Sequence, residues 1–282
     1  MAQLVERNLA KVEVAGSIPV VRSKHRSTRS NSPRGELTRT RRIRGRLLAS
    51  FVMGEMIEFP SNGSQAHGYL AVPASTPAPG VLVLQEWWGL VPQITATCDR
   101  FAAEGFVALA PDLYHGEIAE HTEMDRAGEL MNALPPERAG RDMGAAVDHL
   151  LASPLVRGAS VGAVGFCMGG LLTLVVAAQQ GDRIGAAVPY YGAPLGDGGP
   201  DWAGLTAPVL GHYASDDGFF PADACLELGS TLESEGKDVT FVLYPGVGHA
   251  FANEEDPLGN YDEAAAQQAW ARTIDFLRTN LG

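Results

Sequence analysis

The sequence predicts a three-layer α/β domain, a mostly parallel central sheet with helices on both faces, on three observations. Short apolar runs bounded by turn residues recur along the chain, as expected of strands buried on both sides. Stretches with helical spacing separate them, and strand, helix, strand repeated in this way builds layers around one sheet. The chain has 282 residues, 45% hydrophobic and 19% charged, enough to bury such a core.

Met56–Phe59 and Ala66–Val72 read as an antiparallel start joined by the turn Ser61-Asn62-Gly63-Ser64. Gly80–Leu84 reads as the first buried strand, followed by a helix over Pro92–Glu104, with Pro near its start and Gly105 just past its end. Val107–Ala110 is the next strand, and Glu137–Leu151 the next helix. Val161–Phe166 runs into the helix Met168–Gln180, and Ala186–Tyr190 and Val209–Tyr213 are two further strands. The helix Ala222–Ser234 and the strand Val239–Tyr244 lead to a last helix, Asp262–Leu281, in which Ala266, Trp270, Ile274 and Leu277 form one apolar face.

Residues 53–282 are expected to form this single domain, and residues 1–52 a different kind of sequence. The first 50 residues hold 12 basic residues and three acids, leaving nine basic and 30 acidic residues in the remainder. Between Arg22 and Arg46, Arg, Ser and Thr dominate without hydrophobic periodicity, so little apolar surface is available to offset the entropy of ordering. That segment is expected to be disordered. Its composition fits an organelle transit peptide, a nucleic-acid-binding tail or an upstream extension foreign to the native protein. The last is preferred, because the stretch from Ala2 to Val20 resembles the peptide read from a mistranslated transfer-RNA gene; Met53 or Met56 is then the expected start.

The net charge of −12 argues against nucleic acid as a partner, since phosphate backbones are held by clustered Lys and Arg. No apolar run approaches the roughly 20 residues of a membrane-spanning helix, so no membrane partner is expected. Cys98, Cys167 and Cys225 are too few and scattered for a disulfide framework, and none forms a Cys-x-x-Cys pair. A reducing, cytoplasmic compartment and a monomer or small homo-oligomer without metal or organic cofactor are expected.

Val164-Gly165-Phe166-Cys167-Met168-Gly169-Gly170 takes an apolar strand through Gly-x-Cys-x-Gly into an apolar helix. This is the pattern of a nucleophile elbow with sulfur in place of oxygen. The turn is too tight for side chains at the flanking glycines, and the nucleophile sits in a strained conformation at a helix N-terminus, which favours a thiolate. A nucleophile on such a scaffold needs an acid and then a His downstream, each after a strand. Ser215-Asp216-Asp217-Gly218 follows one strand and Gly246-Val247-Gly248-His249-Ala250-Phe251 the next. Periodicity does not separate Asp216 from Asp217. Bland readings compete: a buried structural cysteine, an ordinary helix cap and a loop His bonded to backbone.

With the Gly-x-Cys-x-Gly elbow, an Asp four residues before Pro221 and the Gly248-His249-Ala250-Phe251 loop, residues 56–282 resemble the dienelactone hydrolase family of α/β-hydrolases. The resemblance implies a Cys167, His249, Asp217 triad cleaving an ester or lactone through an acyl-enzyme. It also implies that Glu86, in Gln85-Glu86-Trp87-Trp88-Gly89, contacts the resting thiol and helps take its proton. The backbone N–H groups of Met168 and Trp87 are the implied oxyanion hole, and Trp88, Tyr191 and Phe251 the implied pocket wall. The chain departs from the family pattern at two substrate-binding arginines. Asp112-Leu113-Tyr114 is followed by His115-Gly116, and Asn253 stands four residues after His249. A dienelactone carboxylate would lack its charged partners unless Arg126, Arg138 or Arg141 reached the site.

Two other classes remain as expectations to weigh: a non-catalytic ligand-binding protein on the same scaffold, and a thiol redox enzyme using Cys98 or Cys225 as the resolving residue.

Overall fold

The computed structural model describes residues 53–196 and 199–282. The expectation of disorder over residues 1–52 lies outside the described residues. Among the described residues, eight strands form one sheet, in the order β1-β2-β4-β3-β5-β6-β7-β8. β1 (Glu55–Ser61) and β2 (Ser64–Ala71) form the expected hairpin, and β2 also pairs antiparallel with β4 (Val107–Pro111). From β4 through β3 (Ala78–Leu84), β5 (Val156–Phe166), β6 (Ile184–Tyr190), β7 (Val209–Ala214) and β8 (Val239–Tyr244) every pairing is parallel.

Every residue of β3, β4 and β7 is buried, which is why these strands read as unbroken apolar runs. α1 (Pro92–Ala103) and α6 (Glu263–Leu281) cover one face of the sheet. There Phe101 meets Trp270, and Gly162 of β5 leaves room for Leu277 and Leu281. α3 (Pro136–Ala152) and α4 (Met168–Gln180) pack together on the other, and α5 (Ala222–Ser234) covers β7 and β8. α4 is buried continuously from Met168 to Ala178, so it has no polar face to balance its apolar one.

Two elements differ from expectation. A helix, α2 (Met124–Ala133), occupies a stretch for which no helix is expected: Gly128 lies inside it, its N-cap makes no side-chain bond, and its buried stripe is limited to Ala127, Leu130 and Met131. β5 begins at Val156 rather than Val161, because the polar stretch before Val161 pairs Val156 and Arg157 with Ala78 and Pro79 across an irregularity in register.

The chain leaves β3 towards β4 on one side and later places β5 on the other. Open parallel sheets hold their ligands beyond the carboxyl ends of strands at such a reversal. Glu86 and Cys167 follow β3 and β5, the two strands that flank it.

Candidate active site

Cys167 lies between β5 and α4 with φ 53° and ψ −116°, a conformation that a side-chain-bearing residue adopts only under strain. The turn closes on itself. A Cβ at Gly165 would lie 2.1 Å from the Gly169 carbonyl oxygen, and one at Gly169 would lie 2.3 Å from that of Leu84. Backbone is the obstacle in both cases, so the two glycines are steric requirements of the elbow. Cys167 is partly exposed, whereas Cys98 and Cys225 are buried. Burial pushes both of those thiols upward, Cys225 to about 12, the opposite of what a reactive thiolate needs.

His249 stands on the loop after β8, and its Nδ1 is 2.8 Å from Asp217 Oδ2 on the loop after β7. The two side chains are only 4% and 1% exposed. The other carboxylate oxygen, Asp217 Oδ1, accepts backbone N–H bonds of 2.8 Å from both Phe219 and Phe220. Asp216, by contrast, accepts from the neighbouring Ser215 hydroxyl, so geometry separates the two aspartates where periodicity does not. Burial alone would lower the His249 pKa. The charge of Cys167, the hydrogen bond and charge of Asp217 and a hydrogen bond with Cys167 outweigh it together, raising it to about 10. These neighbours favour the protonated imidazole. Phe219 and Phe220 lie against its ring, at 4.7 and 5.7 Å between centroids, and Tyr191 meets it edge-on at 5.2 Å.

Glu86 is 1% exposed. Its Oε2 accepts from Asn253 Nδ2 at 2.9 Å and its Oε1 from the Tyr191 hydroxyl at 3.4 Å. Where the resemblance implies a bond to the resting thiol, the hydrogen bonds of Glu86 in this structure go to these two residues. Burial raises its pKa, against the opposing pull of His249, Asn253 and Tyr191. Tyr191, buried and at φ 35°, stays a protonated donor because burial and then the charge of Glu86 hold its pKa well above the ordinary value.

Met168 is the first residue of α4, where a backbone N–H has no acceptor within the helix. Trp87 follows β3, and its carbonyl accepts from the Tyr114 hydroxyl at 3.1 Å; the same hydroxyl lies 3.5 Å from Met168 Sδ. Tyr114 therefore ties together the two residues whose N–H groups were expected to form an oxyanion hole. The sequence gives Tyr114 and Asn253 no role beyond their place in the family pattern. Trp88 and Phe251 are fully buried: Trp88 packs edge-on against Trp87 and His121, and Phe251 against Tyr191 and Tyr244.

One of the three arginines considered as substitutes is matched by carboxylates. Arg126 pairs with Glu117 and Glu129, and Arg138 donates to the Leu113 carbonyl at 3.4 Å. Arg141 is exposed on α3. A separate cavity of about 350 Å³ opens between α1 and α6, lined by Gln93, Arg100, Tyr261 and Trp270 among others, and Cys167, Asp217 and His249 are not in its wall. Among the described residues, no cluster of three or more His, Cys, Asp or Glu is placed to hold a metal ion, and no helix is long and apolar enough to cross a membrane.

A mostly parallel sheet with a strained residue between β5 and its helix, and an Asp and a His after later strands, defines an α/β-hydrolase. The profile of the Dienelactone hydrolase family matches residues 66–281. Protein usf of Aquifex pyrophilus is 39% identical over 237 residues, covering 81% of this chain and 100% of its own length. A protein of Aquifex aeolicus (strain VF5) provisionally named carboxymethylenebutenolidase is 36% identical over 238 residues, again covering 81% and 100%. A crystal structure from Klebsiella pneumoniae subsp. pneumoniae MGH 78578, provisionally named a dienelactone hydrolase, superposes with a TM-score of 0.70 at 28% identity over 80% of this chain and 98% of its own. The chain belongs to the dienelactone hydrolase family, and by class it is a hydrolase of carboxylic esters or lactones.

Proposed function

We propose that the protein hydrolyses a small carboxylic ester or lactone with Cys167 as nucleophile, His249 as proton carrier and Asp217 as the group that orients His249. The observation that carries this reading is the buried 2.8 Å His249–Asp217 hydrogen bond, on the loops after β8 and β7, together with a cysteine at a strained strand-to-helix turn.

In the proposed cycle His249 takes the proton of Cys167, leaving the imidazolium beside the thiolate. The thiolate attacks the substrate carbonyl, and the N–H groups of Met168 and Trp87 receive the oxyanion. As the tetrahedral adduct collapses, His249 gives its proton to the leaving alkoxide, which departs as the alcohol, or stays attached by the chain if the substrate is a lactone. Neutral His249 then takes a proton from water as its oxygen attacks the thioester. The second collapse releases the carboxylic acid and restores the thiolate and the imidazolium. Asp217 fixes the ring orientation through Nδ1, which turns the other ring nitrogen to the reacting atoms.

The test is hydrolysis of para-nitrophenyl acetate and a panel of lactones by the wild type, the Cys167→Ala variant and the alkylated wild type. Turnover by the wild type alone, with the variant folded by circular dichroism, supports the reading. Undiminished turnover by Cys167→Ala removes it, and a wild type that binds lactones without cleaving them favours a receptor on the same scaffold.

A further inference from the structure

The hydrolytic cycle makes no use of the cavity between α1 and α6, whose volume of about 350 Å³ suits a small organic ligand. The buried rings of Phe166 and Tyr190 and the half-buried indole of Trp270 give it aromatic walls. Three carboxylates, Glu254, Glu255 and Glu263, share those walls with one basic residue, Arg100. Glu254 pairs with Arg100 at 3.1 Å and Glu255 with His121 Nδ1 at 3.1 Å. Glu263 accepts from the side-chain amide of Gln267 at 3.0 Å and, among the described residues, forms no ion pair.

Two further features point to the chemistry the cavity accepts. The chain already lodges a cation there, for Arg100 Cζ lies 4.2 Å from the centroid of the Trp270 ring. Gln93, in the first turn of α1, lines the same cavity, and its Oε1 is buried without a hydrogen-bond partner among the described residues. A buried acceptor left open in this way is satisfied by an incoming N–H or O–H donor. An indole face, carboxylates and an open carbonyl oxygen together complement a cation that carries N–H groups.

We propose that this cavity binds a small organic cation bearing N–H donors, a guanidinium or a primary ammonium, which takes the place of Arg100 over Trp270 and donates to Gln93 Oε1. The Arg100 side chain is 46% exposed and its one ion pair is with an exposed glutamate, a contact of little strength, so it turns out to solvent as the ligand enters. The site does not depend on the hydrolase reading, although one loop borders both. Ala252, Glu254 and Glu255 line the cavity, while Asn253 between them donates to Glu86. The competing occupant is an anion, drawn to the first turns of α1 and α6, but Asp262 and Glu263 already answer the latter.

Isothermal titration calorimetry of the full chain at constant ionic strength tests the proposal with three probes: butylguanidinium, tetramethylammonium and butyrate. Butylguanidinium is expected to bind with a Kd of about 1 mM or tighter. Tetramethylammonium, a cation without N–H groups, is expected to bind about fivefold more weakly or worse, and butyrate not at all. Arg100→Gln clears the indole face and is expected to tighten butylguanidinium by about threefold or more, because the ligand no longer competes with the chain's own guanidinium. Trp270→Leu is expected to weaken it by about fivefold. Gln93→Met is expected to weaken butylguanidinium and to leave tetramethylammonium unchanged. Arg100 and Gln93 lie at the surface of α1, so their variants decide the matter even if Trp270→Leu folds poorly. Absence of butylguanidinium binding in both the wild type and Arg100→Gln overturns the proposal. So does weaker binding in Arg100→Gln, an affinity that none of the three variants alters, or binding of butyrate in place of the cation. Each of these results leaves the hydrolase reading standing, and that reading fails only on the ester and lactone assays described above.

Discussion

His249 Nδ1 and Asp217 Oδ2 lie 2.8 Å apart in a pocket that water scarcely reaches, and Asp217 is itself clamped by two backbone N–H groups. On the proposed mechanism, a carboxylate fixed this firmly determines which imidazole nitrogen is offered to the sulfur. Replacing it with an amide keeps the shape and allows the wrong tautomer. Asp217→Asn is therefore expected to lower kcat by roughly 10³- to 10⁴-fold with little change in KM, as measured by steady-state kinetics on a neutral ester. A loss below about tenfold would mean that His249 is oriented by something else.

The pH dependence follows from the raised pKa of His249. Its ordinary value is 6.5 and its folded value about 10, so its contribution to folding stability is complete below 6.5 and is lost as pH rises through about 10. The same proton is needed by a poor leaving group. Hydrolysis of a methyl ester is expected to fall as pH passes about 10, while a para-nitrophenyl ester, whose leaving group needs no proton, declines less. Parallel pH profiles for the two substrates would contradict this. In Asp217→Asn the alkaline limb is expected to move to lower pH.

Strain at Cys167 makes a prediction about stability. At φ 53° a Cβ is unfavourable, and glycine removes the penalty. Cys167→Gly is expected to be inactive and yet more stable than Cys167→Ala by about 1 kcal/mol in urea unfolding. Equal midpoints for the two variants would show that the turn costs little.

The Tyr114 hydroxyl bridges the Trp87 carbonyl and Met168 Sδ. Tyr114→Phe keeps the ring and removes the bridge, so kcat is expected to drop by about 5- to 10-fold at constant KM, and stability to fall by about 1–3 kcal/mol as the buried Trp87 carbonyl loses its donor. An unchanged kcat would make Tyr114 a packing residue only.

The sheet could be read from sequence where burial is complete. The residues of β3 and β4 have no solvent face, and only unbroken apolar runs satisfy that. The polar beginning of β5 could not be read, because its pairing depends on neighbours rather than on a local pattern, and α2 escapes a sequence reading because its apolar stripe is short and interrupted by Gly128. The site divides in the same way. Gly165 and Gly169 mark Cys167 because backbone collides with anything larger. Choosing Asp217 over Asp216 required either the family pattern or the fold, since both stand on one loop. Tyr114 and Asn253 act through partners 27 and 167 residues away, a relationship that no spacing rule reports.

The groups gathered around Cys167 come from the ends of β3, β4, β5, β6, β7 and β8, and the last of these carries His249. Synthesis delivers the sulfur long before its proton partner. Until β8 docks at the sheet edge, a growing chain holds an ordinary cysteine, and reactivity towards acyl donors arises only as the finished polypeptide closes its final strand. On the proposed mechanism, labelling of Cys167 faster than that of an ordinary thiol therefore reports complete folding, whereas partly folded chains should label at the ordinary thiol rate and at Cys98 and Cys225 as well.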